Sequence, residues 1–142
     1  MLLAQRFAQV FGVIYLVIGI LGFIPIAPIL VPIEMAGPYG GVIGPFEGFL
    51  LGLFPVNWLH NLAHIAIGVA GLASYRSLAG ARSYALVIGV LYIVLAVVGL
   101  FLPTFFGLLP LGGLDITLHA LTAILALGAY FASPRGAVRP AA

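Results

Sequence analysis

Seven polar residues stand apart in an otherwise apolar chain: Glu47, Asn57, His60, Asn61, His64, Asp115 and His119. His60 and His64 are four positions apart, which on a helix puts both imidazoles on one face in adjacent turns. Asp115 and His119 repeat that spacing. Three imidazoles and one carboxylate that met would suit Zn, Cu(II) or Fe, so His60, His64, Asp115 and His119 are the candidate metal ligands. His64 and His119 alone, one from each helix, could instead ligate a haem, with Gly68, Gly71, Ala123 and Ala126 leaving room for the macrocycle. A structural reading of the same residues stands beside these. Asn57 after Pro55 caps one helix and Asp115 caps the other, while His60, Asn61 and Glu47 bond one another and the neighbouring loop.

Other chemistry is excluded by composition. The 142 residues contain no cysteine, hence no disulfide, thiolate metal site or cysteine nucleophile. Five arginines against three acids give a formal charge of +2, too sparse for nucleic-acid binding. No nucleophile–base pair or phosphate loop is visible, which argues against an enzyme. The chain is 64% apolar and 6% charged, against about 45–50% and ~25% in a soluble domain. Four membrane spans of about 20 residues would use most of that apolar excess.

The elements that must carry the polar residues are four apolar runs, at about 7–24, 57–75, 83–102 and 115–132, each near the length a helix needs to cross the hydrocarbon core. The expected fold is all-α, a four-transmembrane-helix bundle forming a single domain over 1–132. The first run is longer than the apolar part of a secretory signal and no cleavage site follows, so it is expected to remain. Arg6, Arg76, Arg82, Arg135 and Arg139 fall on one side of this arrangement, and Glu34, Glu47 and Asp115 on the other. By the positive-inside rule both termini are cytoplasmic, and the polar cluster lies at the extracytoplasmic end.

The chain also resembles itself. A shift of 77 residues places helix 1 on helix 3, with Ala4, Ala8, Val10, Gly12, Val13, Tyr15, Val17 and Gly22 matching Ala81, Ala85, Val87, Gly89, Val90, Tyr92, Val94 and Gly99. A shift of 55 places helix 2 on helix 4, with Gly52, Leu53, Pro55, Leu59, His64, Leu72 and Tyr75 matching Gly107, Leu108, Pro110, Leu114, His119, Leu127 and Tyr130. The bundle thus reads as two tandem helical hairpins related by a pseudo-two-fold axis. The outer loop, 25–56, carries six Pro and six Gly, so little regular structure is expected there. Within it, 46–54 is apolar enough to lie in the interface or dip into the bundle, and the tail 133–142 is expected to be disordered.

Small residues share faces: Ala4, Ala8, Gly12, Gly19 and Gly22 with Tyr15 on helix 1, and Ala81, Ala85, Gly89, Ala96 and Gly99 with Tyr92 on helix 3. These are close-packing faces. Tyr15 and Tyr92 lie deep, where a phenol needs a partner, and backbone carbonyls are the expected acceptors.

The string Phe54-Pro55-Val56-Asn57-Trp58-Leu59-His60-Asn61-Leu62-Ala63-His64, followed by Gly68 and Gly71, resembles a family of small bacterial four-helix membrane proteins, domain of unknown function 4383. Gly107-Leu108-Leu109-Pro110-Leu111-Gly112-Gly113 and Asp115, leading to Leu118-His119, agree with it. Where the family pattern has Asn after the Asp, this chain has Ile116. The resemblance implies four membrane helices and a bacterial inner membrane, and it implies no activity. Three functions follow from the whole reading: a membrane module binding a metal ion or haem, a non-catalytic accessory subunit of a larger complex, or a transporter-like protein whose four short helices would need to oligomerise. Its partners would be the lipid bilayer and other membrane subunits or further copies of itself.

Overall fold

The computed structural model describes residues 1–31 and 45–136. Glu34, Arg139 and most of the tail lie outside them. The order is α1 (Leu3–Leu21), β1 (Leu30–Val31), β2 (Gly48–Leu50), β3 (Phe54–Val56), α2 (Trp58–Ser74), α3 (Leu78–Phe101) and α4 (Leu114–Phe131).

Local chemistry sets the helix starts. Asn57 precedes α2 and its side chain accepts from the His60 amide at 2.9 Å. Ser77 does the same for α3 through the Gly80 amide at 3.0 Å. Before α4 stands Gly113 at φ 67°, a left-handed conformation that glycine adopts without steric cost. Asp115 therefore sits inside the first turn of α4 rather than capping it. α1 and α3 begin at Leu3 and Leu78, ahead of the expected 7 and 83. Apolarity marks the part of a helix that meets lipid, whereas the backbone ladder continues through Gln5, Arg6 and Arg82.

α1 packs chiefly on α2, and α3 on α4, with lesser contacts between α1 and α3, α1 and α4, and α2 and α3. Glycine permits the close approaches: a Cβ on Gly12 would lie 2.9 Å from the Leu72 nitrogen, and one on Gly89 would lie 2.6 Å from Leu127 Cδ2. Small side chains fill the interior, with Ala4, Ala8, Ala81, Ala85 and Ala126 wholly buried. Large apolar side chains point outward, Val10, Val13, Val17 and Ile20 on α1 and Val87, Val90, Val94 and Val97 on α3. This inversion of the soluble pattern is what lipid as solvent demands. α1, α3 and α4 are long and apolar enough to cross a membrane. The 17 residues of α2 reach about 25 Å at ~1.5 Å per residue.

The outer connection departs from the all-α expectation. Its described residues form a three-stranded antiparallel sheet, β1-β2-β3, with Leu30 opposite Leu50 and Gly48 opposite Val56. The segment expected to lie in the interface is thus a hairpin, turned through Leu51 and Gly52 at positive φ. Pro55 is tolerated because β3 is an edge strand. Leu30, Leu50 and Val56 form a buried cluster against Ile18, Leu21 and Phe54, so the sheet is packed onto the bundle end that bears the histidines.

At the opposite, arginine-bearing end, polar side chains close the helices. Gln5 Nε2 donates to the Tyr75 carbonyl at 3.1 Å, and Arg82 Nη1 to the Tyr130 carbonyl at 2.6 Å and to that of Ser133. The Ser133 hydroxyl accepts from the Ala4 amide at 2.9 Å. The expected disordered tail is therefore ordered at its first residue, and 137–142 lie outside the described residues.

Candidate metal centre

The first two turns of α2 carry His60, Asn61 and His64, and those of α4 carry Asp115 and His119. Although α2 and α4 are not the main packing partners of each other, these side chains meet in the middle of the bundle. His60 Nε2 is 3.7 Å and His119 Nε2 3.8 Å from Asp115 Oδ2. One ligand atom from each of the three lies within 4.8 Å of the others. His60, His64, Asp115 and His119 are 4%, 5%, 1% and 1% exposed, so the set is shut away from solvent and lipid alike.

Several of its atoms lack partners among the described residues. Among the described residues, Asp115 Oδ2 and the Nδ1 atoms of His60, His64 and His119 are buried without a hydrogen bond. Separations of 3.7 and 3.8 Å are too long for hydrogen bonds. Two donors each about 2.1 Å from a tetrahedral or octahedral ion stand about 3.0–3.4 Å apart. The observed gaps exceed that by a few tenths of an ångström, within reach of small side-chain rotations. The carbonyls of Pro55 and Pro110 flank the His60 ring, in the position from which outer carbonyls orient a ligating imidazole.

Five rings form a closed circuit around the centre. His60 lies tilted against His64 at 4.4 Å between centroids, His64 meets Tyr15 at 5.4 Å and Tyr15 meets Tyr92 at 5.6 Å. Tyr92 meets His119 edge-on at 4.9 Å, and His119 returns to His60 at 6.4 Å. The Tyr15 hydroxyl pairs with Thr122 Oγ1 at 3.2 Å, which corrects the expectation of a backbone acceptor. Thr122 escaped the sequence reading, though its spacing of three from His119 and seven from Asp115 places it on their face. Below the phenols the interior is apolar, built from Ala4, Phe7, Ala8, Ala85, Ile88 and Ala126.

The remaining polar residues have other work. Asn57 caps α2, and its Nδ2 donates to the Leu108 carbonyl at 2.8 Å, joining the two halves beside the site. Asn61 Nδ2 donates to the Gly22 carbonyl at 2.7 Å, closing the end of α1 instead of bonding His60. Glu47 is half-buried before β2, and no described hydrogen bond or ion pair joins it to the imidazoles.

The haem reading lacks space. Gly68 and Gly71 face the backbone of α1, where a Cβ on Gly71 would stand 2.7 Å from the Ala8 carbonyl oxygen. Ala123 and Ala126 are packed in the core at 2% and 0% exposure. The Tyr15 and Tyr92 rings stand in the circuit between His64 and His119, where a macrocycle would have to lie.

No curated protein and no solved structure matches this chain. A family model described as Domain of unknown function (DUF4383) matches residues 5–132, and the chain belongs to that family.

Proposed function

We propose that the protein is a membrane module that holds one divalent transition-metal ion, through His60, Asp115 and His119, with His64 at hand as a fourth donor. The observation that carries this reading is the approach of two imidazole Nε2 atoms, from His60 and His119, to the buried and unpartnered Asp115 Oδ2, with one ligand atom of each residue within 4.8 Å of the others. A buried carboxylate oxygen left without a partner costs about 1–3 kcal/mol. An ion would take that oxygen and the two Nε2 atoms together, leaving each Nδ1 to face outward. Two imidazoles and one carboxylate suit Fe(II) or Zn(II) and leave positions open for an exogenous ligand.

Several equivalences support the two-hairpin repeat. Gln5 and Arg82, related by the shift of 77, close α2 and α4 at Tyr75 and Tyr130, related by the shift of 55. Gly12 faces Leu72 as Gly89 faces Leu127. Under the same operation His60 answers to Asp115 and His64 to His119, so the ligands would come from matching turns of the two halves.

The four helices would all cross the bacterial inner membrane, α2 lying along α1 as its antiparallel partner. The arginine end would be cytoplasmic by the positive-inside rule, and the metal centre extracytoplasmic. Passage of ions through the bundle is disfavoured, because the polar track ends at Tyr15 and Thr122 and apolar packing fills the rest. The competing role, an accessory subunit with a purely structural polar network, requires bridging waters at the same atoms.

Elemental analysis of protein purified in mild detergent separates the two. Near-stoichiometric metal in the wild type, lost in a His60→Ala, His119→Ala variant that still folds, supports the metal module. Metal-free wild type that takes up no added Zn(II), Fe(II) or Cu(II) supports the accessory role.

A further inference from the structure

At the arginine end, far from the histidines, α3 and α4 border a cavity of about 960 Å³. Ligand sites in proteins commonly measure about 300–1,000 Å³. Arg82, Arg135 and Ser77 give this cavity polar walls, and Leu78 and Leu86 give it apolar ones. The described acids, Glu47 and Asp115, belong to the opposite end, so no described carboxylate neutralises the two guanidinium groups.

Arg82 carries more charge than its structural role needs. It closes α4 with Nη1 and lies 4.3 Å from the centroid of the Tyr130 ring. In the other half Gln5 closes α2 with a neutral amide. A guanidinium offers five N–H donors, and here only Nη1 is engaged. Its Nε and Nη2, and the whole Arg135 guanidinium, have no protein partner among the described residues. A phosphate accepts from two such forks at once.

We infer that this cavity binds an anionic phospholipid, its phosphate between Arg82 and Arg135 and its acyl chains along Leu78 and Leu86. Location selects lipid over a soluble phosphate. The cavity opens where α3 begins and α4 ends, at the boundary of helices built to cross a membrane, and basic pockets between membrane helices at that depth recruit acidic headgroups. The site is independent of the metal centre, and either can fail alone.

Lipid retention by the purified full chain tests this. After equilibration with micelles containing equal phosphatidylglycerol and phosphatidylcholine, native mass spectrometry should show phosphatidylglycerol retained in clear preference. Arg82→Gln with Arg135→Gln should lower its retention about 25-fold, ~5-fold for each arginine, and lower that of phosphatidylcholine, whose choline offsets its phosphate charge, far less. Gln at 82 keeps a cap of the kind Gln5 provides. Should that variant fail to fold, Arg135→Gln alone should give the ~5-fold loss. Equal retention of the two lipids, or unchanged retention in the folded variants, overturns the inference. Displacement of the lipid by an equal concentration of glycerol phosphate would assign the cavity to a soluble phosphate instead.

Discussion

His60 Nε2 on α2 stands 3.7 Å from Asp115 Oδ2 on α4, one imidazole and one carboxylate, each in the first turn of its helix. The separation is too wide for a hydrogen bond and close to that of two ligands on one ion. Both residues are nearly inaccessible, so a partner they share must be small and held within the bundle.

Binding at this site should couple to folding. An ion present at a hundred times its dissociation constant stabilises the folded state by about 2.7 kcal/mol, which corresponds to a melting rise of about 5 °C or more for a chain of this size. Chelation should remove that rise in the wild type. Asp115→Asn keeps the shape but removes the carboxylate that an ion would need, so it should melt no lower than chelated wild type and should not respond to metal. A chelator response that survives in Asp115→Asn would place the ion elsewhere.

Asn57→Ala removes a helix cap and the bond to the Leu108 carbonyl. Loss of a cap alone costs about 1 kcal/mol, and loss of the part-buried bond to the Leu108 carbonyl adds about 0.5–1.5 kcal/mol. Because both bonds frame the turn that carries His60, metal affinity should fall together with unfolding stability in mixed micelles. Unchanged affinity in a destabilised variant would separate the cap from the site.

The sequence made the polar faces of α2 and α4 legible because helical periodicity is local: spacing four on two helices groups His60 with His64 and Asp115 with His119. Asn57 as a cap was legible for the same reason. Contacts set by the packing of one helix on another were not. Thr122 has a partner only because α1 packs near α4 and brings Tyr15 to it. Asn61 looked like a member of the cluster, yet it points at the end of α1. The sheet was hidden because its strands are two or three residues long and hold a proline, too short to show an alternating pattern.

Asn61 and Ile116 are counterparts under the shift of 55, and both pack on glycines, Gly22 just past the end of α1 and Gly99 in α3. Asn61 also bonds the Gly22 carbonyl. If the halves are equivalent, Ile116→Asn finds the Gly99 carbonyl and changes stability by about 1 kcal/mol or less. Asn61→Ile leaves the Gly22 carbonyl unpaired and should cost about 1–3 kcal/mol. Denaturation of both variants in mixed micelles checks this, and equal costs would count against equivalence at these positions.

Orientation can be read with thiol labelling, since the chain has no cysteine. Leu53→Cys lies at an exposed position on the sheet end, and Gly136→Cys at an exposed position on the arginine end. In intact cells freed of their outer membrane, an impermeant maleimide should label position 53 and spare 136. The reverse pattern would invert the topology and place the metal centre at the cytoplasmic face.

X-ray absorption at the metal edge of the reconstituted, Zn(II)-loaded protein addresses the centre most directly. Two or three imidazole nitrogens and at least one carboxylate oxygen at about 2.0–2.2 Å, with one imidazole lost in His119→Ala, is the expected result. A shell of oxygen atoms alone, unaltered by His119→Ala, or an ion that does not stay bound, would contradict a metal centre built from His60, Asp115 and His119.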